Sequence, residues 1–219
     1  KRNLKKLNTS KSCGSDGIHP RVLQELSDQL ASPLCKLYNQ SMEEGKLPNE
    51  WKNASVSAIF KKGDKSVSGN YRPVSLTSIA CKVMESSIRD HLMKHLVEND
   101  LLSDKQFGFV KGRSTSLQLL KVMDEWTRII EENDAIDAIY FDFKKAFDMV
   151  PHRRLIHKMK AYGFNKKVIG WTEDFLRDRT HKVCINGTSS RKAKVVSGIP
   201  QGSVLGPILF IIYINDLPD

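Results

Sequence analysis

The longest apolar run in the chain covers only residues 208–214, and a turn rich in glycine and proline precedes it. A membrane-spanning helix needs about 18 or more apolar residues, so this run is too short to cross a bilayer. Residues 1–6 are basic but lack the apolar core of a secretory signal peptide. We therefore expect a globular intracellular protein, nuclear or cytoplasmic and not secreted, whose core is assembled from short helices and strands.

The chain of 219 residues is basic, because 35 Lys and Arg outnumber 25 Asp and Glu and leave a net charge of +10. This excess favours a polyanionic partner, either nucleic acid or an anionic membrane surface. A content of 40% hydrophobic and 27% charged residues is ordinary for globular proteins and argues against wholesale disorder. The four cysteines show no CxxC spacing, so we expect reduced structural thiols, with a zinc site or a disulfide framework as alternatives.

Periodicity predicts an α+β chain with more helix than strand. The polar residues 1–19, with two glycines, predict a mobile lead-in. Apolar residues three and four apart predict helices within residues 20–45, 79–96, 117–130, 151–163 and 165–177. Strand-like segments, including arms on either side of the Asn186-Gly187 turn, are residues 56–60, 135–143, 182–185 and 193–196. The i, i+4 pair His91 and His95 lacks the glutamate of a helical zinc motif and predicts a solvated helix face.

Two basic segments are candidate phosphate sites. A predicted strand leads directly into Lys61 and Lys62, and Arg72 follows, so this loop can present cations to a polyphosphate. Taken alone, an ordinary surface loop explains these residues better. Residues 106–114 place glycines beside Arg113, which lets the backbone approach a phosphate closely. The alternative for this second segment is a turn before a helix that Ser114 caps.

Two further segments suggest a catalytic centre. Asp142 lies near the end of an apolar predicted strand, where a carboxylate is costly unless it is paired or bound to a metal. Carboxylates are the expected ligands of Mg²⁺, and a helix-capping or ion-paired aspartate is the alternative. Residues 198–207 hold three glycines and two prolines just before the apolar run, which predicts a shaped turn that something fits closely. A plain loop is the alternative there.

The order of these segments resembles the reverse transcriptases of non-LTR retrotransposons, the long interspersed elements, and in particular their jockey-like group. The segments that carry the resemblance are WKNASVSAIFKKGD, NYRPVSLTSIACKVMES, QFGFVKGRST, YFDFKKAFDMVPH and SGIPQGSVLGPILFIIYINDLP, after a lead-in KKLNTSKSCGSDGIHPRVLQEL. They cover nearly the whole chain. The resemblance implies a right-hand polymerase fold, with an N-terminal extension over residues 1–19, fingers over 20–133 and an incomplete palm over 134–219.

The implied activity is RNA-directed DNA polymerisation, in which a primer 3′-hydroxyl is extended with deoxynucleoside triphosphates on an RNA template. The implied cofactor is Mg²⁺, with Mn²⁺ as the alternative. A rival hypothesis is an inactive retrotransposon remnant that acts as a nucleic-acid-binding module. A third hypothesis, a structural domain without affinity for nucleic acid, fits the charge of +10 poorly.

The resemblance assigns the metal and sugar positions within one segment. Asp142 matches the first catalytic aspartate, and the carbonyl of Phe143 matches a main-chain metal ligand. Phe147 matches the bulky residue that excludes a ribose 2′-hydroxyl. Asp148 is expected to stabilise the turn without binding metal, and His152 to stabilise the following helix.

The resemblance also assigns positions that bind nucleotide and template. Lys62, or alternatively Lys61, matches a cation that holds the incoming triphosphate, and Arg72 matches a second one. Gln201 and Gly202 match the motif that packs on the nucleotide and the template base. Arg113 resembles a basic residue that contacts the template or stabilises its own loop.

One departure from the family pattern concerns the catalytic carboxylates. The family carries a Tyr-x-Asp-Asp motif after the Gln201 segment and a thumb subdomain beyond it. No Asp-Asp pair occurs in this sequence, and the resemblance provides no counterpart of the thumb. Two-metal phosphoryl transfer needs carboxylates around ions that lie about 3.5–4 Å apart. We therefore expect Asp142 to face an open cleft beside the Gln201 segment, and residues 1–219 alone to be inactive as a polymerase.

Overall fold

The computed structural model describes residues 1–217. Its helices are α1 (Arg2–Lys5), α2 (Pro20–Glu25), α3 (Ser27–Glu44), α4 (Ile79–Glu98), α5 (Thr115–Glu131), α6 (His152–Ala161), α7 (Lys166–Leu176) and α8 (Gly206–Ile214). Its strands are β1 (Asn53–Phe60), β2 (Tyr71–Leu76), β3 (Thr180–Ile185), β4 (Thr188–Ser189) and β5 (Ala193–Lys194). Short 3₁₀ turns cover Asn49–Lys52 and Ser68–Asn70. The mixed α+β class is confirmed.

A single sheet, built around β1 and β3, connects distant parts of the sequence. Strand β1 pairs antiparallel with β2 and parallel with β3, in a register that places Val56 opposite both Ser75 and Val183. Strand β3 also pairs antiparallel with β4 and β5. Asn186 and Gly187 both have positive φ, at 49° and 79°, as a two-residue type I′ hairpin turn requires. The predicted hairpin is confirmed, although its second arm is split into two short strands.

Local signals set most helix ends. The hydroxyls of Ser78 and Ser114 accept hydrogen bonds from main-chain N–H groups three residues later, at 3.3 and 3.2 Å, and so cap α4 and α5. Gly45, at φ 63°, ends α3 in the left-handed conformation that favours glycine. The single helix predicted from residue 20 is instead two helices, because Leu26 departs from helical geometry between α2 and α3.

The buried core lies mainly among α4, α6, α7 and α8. The ring of Trp171 stacks on that of Phe175 at 5.5 Å and donates a hydrogen bond to the Ser41 hydroxyl at 3.0 Å. Asp174 bonds the largely buried Lys52 at 2.8 Å and accepts from the main chain of Leu47 at 2.7 Å. These contacts fix α7 against α3 and β1. Within residues 1–217 no helix is long and apolar enough to cross a membrane.

The N-terminal segment is held against the body, so the predicted mobile lead-in is wrong. Leu4 on α1 is only 1% exposed. The Gln24 amide donates to the carbonyls of Lys5 and Leu7 at 3.1 and 3.0 Å. Gly14 lies so close to Thr77 that a β-carbon on it would stand 2.4 Å from the Thr77 carbonyl oxygen. The sequence pattern does not predict that this segment packs against the body, because one buried leucine in a basic segment gives no periodic pattern.

Replacement of Leu4 by alanine should lower the free energy of unfolding by about 2 kcal/mol, because it removes a buried side chain and leaves a cavity. Urea denaturation followed by circular dichroism measures the change. Arg2→Ala, which alters an exposed residue of the same helix, should change stability by less than about 0.5 kcal/mol. Equal effects of the two replacements would contradict the docking of α1.

The predicted strand over residues 135–143 is also wrong, since this segment has no regular structure. Ile139, Tyr140 and Phe141 are 77, 85 and 90% exposed. A strand needs a neighbouring strand to bind its N–H and C=O groups, and in the described part of the chain none lies beside this segment. Helix α5, which leads into it, likewise contains no buried residue.

His95 does not lie on a solvated helix face as predicted. Its ring packs against that of Phe164 at 4.6 Å, and its Nε2 lies 2.8 Å from the Tyr162 carbonyl oxygen. His91 is exposed, as expected. His95 therefore joins α4 to the turn between α6 and α7, which places those two helices relative to the core.

Candidate functional site

An open cleft of about 1340 Å³ lies between the loop after β1, residues 142–148 and the turn before α8. Seven of the predicted site residues line this cleft, namely Lys61, Arg72, Asp142, Phe143, Phe147, Gln201 and Gly202. Lys62 and Arg113 are not among its lining residues. Of the two lysines considered for the triphosphate, Lys61 lines the cleft and Lys62 does not.

Part of the Gln201 loop, which we define as residues 197–205, lines the cleft. Main-chain hydrogen bonds fix it on both sides. Ile199 donates to the Phe147 carbonyl at 2.8 Å, and the carbonyl of Gln201 accepts from the N–H of Ser75 on β2 at 2.7 Å. The loop therefore joins the sheet to the segment that carries Asp142.

Two glycines make this close approach feasible. Gly198, at φ 84°, lies so near Asp148 that a β-carbon would stand 2.6 Å from the Asp148 main chain. Gly202 has a φ of 106°, and a β-carbon on it would lie only 2.7 Å from the Ser75 carbonyl oxygen. The sequence predicted a shaped turn that something fits closely, and the closely fitting neighbours are other parts of the same chain.

Two polar side chains hold the Gln201 loop from the neighbouring segment. The amide of Gln201 donates to the Asp148 carboxylate at 3.1 Å. Asp148 thus holds the Gln201 loop, and its expected role in its own turn stays a prediction. The Nε2 of His152 lies 2.7 Å from the Gly198 carbonyl oxygen, so the ring must donate there. His152 was expected to stabilise its own helix and instead bonds the loop.

Glu85 of α4 also holds the Gln201 loop, and the sequence analysis missed it. The residue is fully buried, and its Oε2 accepts from the main-chain N–H groups of Val204 and Leu205 at 2.7 and 3.1 Å. Its Oε1 has no hydrogen-bond partner within residues 1–217. The available signal was one acidic residue on an otherwise apolar helix face, where burial without a partner is costly.

The surroundings of Glu85 are buried and charged. Burial raises the pKa of the Cys81 thiol, and the nearby Glu85 raises it further. Burial lowers the pKa of Arg179, while Cys81 and Glu85 act in the opposite direction. Arg179 donates to the carbonyls of Phe175 and Trp51 at 2.9 and 3.2 Å, which ties α7 to the start of the sheet.

Asp142 is exposed and lies in the irregular segment, not at the end of a strand as predicted. Its carboxylate and the Phe143 carbonyl are oxygen donors of the kind that Mg²⁺ prefers. No group of three or more His, Cys, Asp or Glu side chains suited to a metal occurs within residues 1–217. The other carboxylate of the cleft, Asp148, accepts from Gln201. The donor chemistry suits a hard cation, but the ligand set is incomplete.

Phe147 is a half-buried residue with a fixed ring. It stacks on Phe210 of α8 at 4.9 Å, with an angle of 25° between the ring planes. Its carbonyl accepts the hydrogen bond from Ile199. Helix α8 therefore contacts the ring, and the Gln201 loop bonds the main chain of Phe147. These two contacts fix the position of Phe147 in the cleft.

Cations from two segments line the cleft. Beyond Lys61 and Arg72, the structure adds Lys65, Lys144 and Lys145, which the sequence analysis did not select. The loop that carries Lys65 is folded on itself. Within it, hydrogen bonds from the main chain and hydroxyl of Ser66 lower the pKa of Asp64. The cleft therefore combines many cations with two carboxylates, which suits an anionic ligand.

Arg113 bonds within its own loop. Its guanidinium donates to the carbonyls of Ser103 and Gln106 at 2.5 and 2.7 Å, and it lies 3.4 Å from the Asp104 carboxylate. This geometry supports the stabilising role among the two alternatives. Contact of Arg113 with a template stays a prediction.

Comparison with known proteins gives consistent matches. A family profile described as reverse transcriptase (RNA-dependent DNA polymerase) matches residues 59–219. The chain is 33% identical over 216 residues to a probable RNA-directed DNA polymerase from transposon BS of Drosophila melanogaster, covering 98% of the chain and 24% of that protein. It is 32% identical, with the same coverage, to the RNA-directed DNA polymerase from mobile element jockey of the same species. The chain thus spans about a quarter of the length of these curated relatives.

Proposed function

Since the chain belongs to the reverse transcriptase family, we propose that its cleft serves RNA-directed DNA polymerisation within a right-hand polymerase fold. A primer 3′-hydroxyl is extended with deoxynucleoside triphosphates on an RNA template, in the nucleus or cytoplasm. The observation that carries this proposal is the convergence of Asp142, Phe147, Arg72 and Gln201 on one cleft. In this proposal residues 20–133 act as fingers, residues 134–219 belong to the palm, and residues 1–19 form an extension.

Lys61 and Arg72 hold the incoming triphosphate. They lie near facing ends of the antiparallel pair β1 and β2, where Ile59 is opposite Arg72 and Phe60 opposite Tyr71. The planar guanidinium suits bidentate contact with phosphate, and a lysine ammonium acts as a point charge. Lys65, from the loop between β1 and β2, adds a third cation to the lining of the cleft.

Phe147 selects the sugar. Because its ring stacks on Phe210, it cannot swing away to admit a bulkier ribose without disturbing α8. The Gln201 side chain, oriented by its bond to Asp148, presents the loop surface on which the nucleotide packs. Gly202 keeps that surface close to β2. The selected nucleotide is thus held between a rigid ring and a rigid loop.

Asp142 and the Phe143 carbonyl would hold a divalent cation, Mg²⁺ or alternatively Mn²⁺. When bound, such an ion neutralises charge on the reacting phosphate. Within residues 1–217 Asp142 belongs to no group of three or more His, Cys, Asp or Glu side chains that could hold a metal ion. A second candidate function is a nucleic-acid-binding remnant without catalysis, and the net charge of +10 favours nucleic-acid binding.

Replacement of Lys61 or Arg72 by glutamine should weaken binding of dTTP about tenfold, because each change removes a cation that faces the cleft. Isothermal titration calorimetry on residues 1–219 measures the dissociation constant. Lys62→Gln is the matched control, since Lys62 adjoins Lys61 but does not line the cleft. A folded chain that binds no dTTP, or equal losses for all three variants, would contradict the proposed nucleotide site.

A further inference from the structure

One concentration of positive charge lies outside the cleft. Residues 149–172 contain six Lys and Arg and no Asp or Glu, a net charge of +6 in 24 residues, against +10 for all 219. This segment forms α6, the following turn and the first part of α7. None of α6 or α7 lines the cleft. The sequence analysis selected basic residues near the cleft motifs and did not select this segment.

Helix α6 divides cleanly into a buried and a basic face. Leu155, Ile156 and Met159 are buried against α7 and α8. The solvent face carries Arg153, Arg154, His157 and Lys160, all of which are exposed. Lys166 and Lys167, also exposed, extend this surface onto the start of α7. We call the surface formed by Arg153, Arg154, His157, Lys160, Lys166 and Lys167 the α6 basic face.

The Lys and Arg residues of this face are not neutralised by the protein. No carboxylate in the described part of the chain lies within 4.0 Å of any of their charged groups. The sixth cation of the segment, Lys158, differs because it bonds Asp216 and the Tyr213 carbonyl. The surface therefore presents five unpaired permanent charges to solvent.

Helix stability does not explain where these charges lie. Arg153 and Arg154 occupy the first turn of α6, and Lys166 and Lys167 open α7, with no acidic residue in either first turn. The helix dipole makes a cation unfavourable at a helix N-terminus, by roughly 0.3–1 kcal/mol each at an exposed site. Four of the five cations are therefore repelled by the positive end of a helix dipole. A bound anion would offset this repulsion.

We propose that the α6 basic face binds the phosphodiester backbone of nucleic acid, as a second contact surface separate from the cleft. The residues from 153 to 160 extend about 10 Å along α6. Lys166 and Lys167 follow the short turn at its C-terminal end. A row of this length fits successive phosphates of one strand better than a single small anion. Among polyanions, nucleic acid is favoured because the family acts on it, and an anionic membrane is the rival occupant.

The test compares two variants of residues 1–219 that each lose five charges. The first variant changes Arg153, Arg154, Lys160, Lys166 and Lys167 to glutamine. The control changes exposed cations elsewhere to glutamine, namely Arg2, Lys6, Lys36, Lys46 and Lys121. Fluorescence anisotropy measures affinity for single-stranded RNA, an RNA–DNA hybrid and duplex DNA from 50 to 200 mM salt. The nucleic acid that binds most tightly is the preferred ligand of the face.

Loss of the α6 basic face should weaken binding at least tenfold more than the control does. Each lost contact with a duplex phosphate lowers the slope of log affinity against log salt by about 0.9, so a drop of about 3 or more is expected. Equal losses for the two variants would overturn the proposal. Binding of the unchanged chain to phosphatidylserine vesicles but to none of the nucleic acids would overturn it in favour of a membrane.

A crosslinking experiment keeps the test independent of the stability of the variants. A benzophenone amino acid at position 157 leaves all five cations in place and should crosslink to bound RNA or hybrid. The same group at the exposed position 36 is the control and should crosslink far less. Absence of crosslinking at 157 would overturn the proposal. Loss of dTTP binding in the cleft would instead contradict the proposed nucleotide site and leave this surface unaffected.

Discussion

Residues 1–219, expressed alone, should incorporate no deoxynucleotide on an RNA template, even with Mg²⁺ and all four triphosphates. Asp142 is exposed in the cleft, Asp148 is bonded to Gln201, and residues 1–217 contain no group of three or more His, Cys, Asp or Glu side chains that could hold a metal ion. Joined to a segment that carries the family's Tyr-x-Asp-Asp motif and a thumb, the same chain should extend the primer. Asp142→Asn should then lower the rate at least ~10³-fold, a loss of about 4 kcal/mol of transition-state stabilisation.

A primer-extension assay on a labelled primer and RNA template measures this rate. Asp137→Asn is the matched control, because it removes an exposed carboxylate from the same irregular segment and Asp137 does not line the cleft. Extension by residues 1–219 alone that disappears in Asp142→Asn would show that other residues complete the metal site. Equal losses for Asp137→Asn and Asp142→Asn would contradict the role of Asp142.

The second large effect should follow from Gly198→Ala, which should lower the free energy of unfolding by about 3–4 kcal/mol. The φ of 84° is unfavourable for alanine, and its β-carbon would lie 2.6 Å from the Asp148 main chain, so the backbone must move. Thermal and urea denaturation measure the loss. Because the Gln201 loop would shift, dTTP binding should also weaken in the fraction that stays folded.

Gly69→Ala serves as the control for that replacement, since Gly69 has an ordinary φ and nothing within 4 Å of an added β-carbon. It should change stability by less than about 0.5 kcal/mol. If Gly198→Ala behaved like Gly69→Ala, the close approach of the Gln201 loop to Asp148 would be wrong.

The sequence correctly predicts the features that are determined by a few neighbouring residues. The Ser114 cap, the end of α3 at Gly45 and the turn at Asn186-Gly187 each depend on a few adjacent residues. The convergence of cleft residues could also be expected, since four motifs in family order imply a shared site. The cap, the helix end and the turn do not depend on which distant segments meet, and the convergence follows from the resemblance to the family.

The failures share a dependence on tertiary contacts. Residues 135–143 have the composition of a strand, yet a strand exists only where a neighbour binds its backbone. Leu4 and Glu85 are single residues whose burial depends on segments far away in the chain. Strand β2 was not predicted, because Pro73 and the polar residues around it hide its pairing with β1.

The parallel pairing of β1 with β3 has a consequence for synthesis on the ribosome. Asn53 and Thr180, which begin that pairing, are 127 residues apart. At a translation rate of about 5–20 residues per second, roughly 6–25 s separate the emergence of the two strands. Strand β2 emerges soon after β1 and can pair with it at once, since hairpins form in microseconds. Throughout that interval the nascent chain carries a two-stranded hairpin whose β1 edge is open to pairing with other nascent chains.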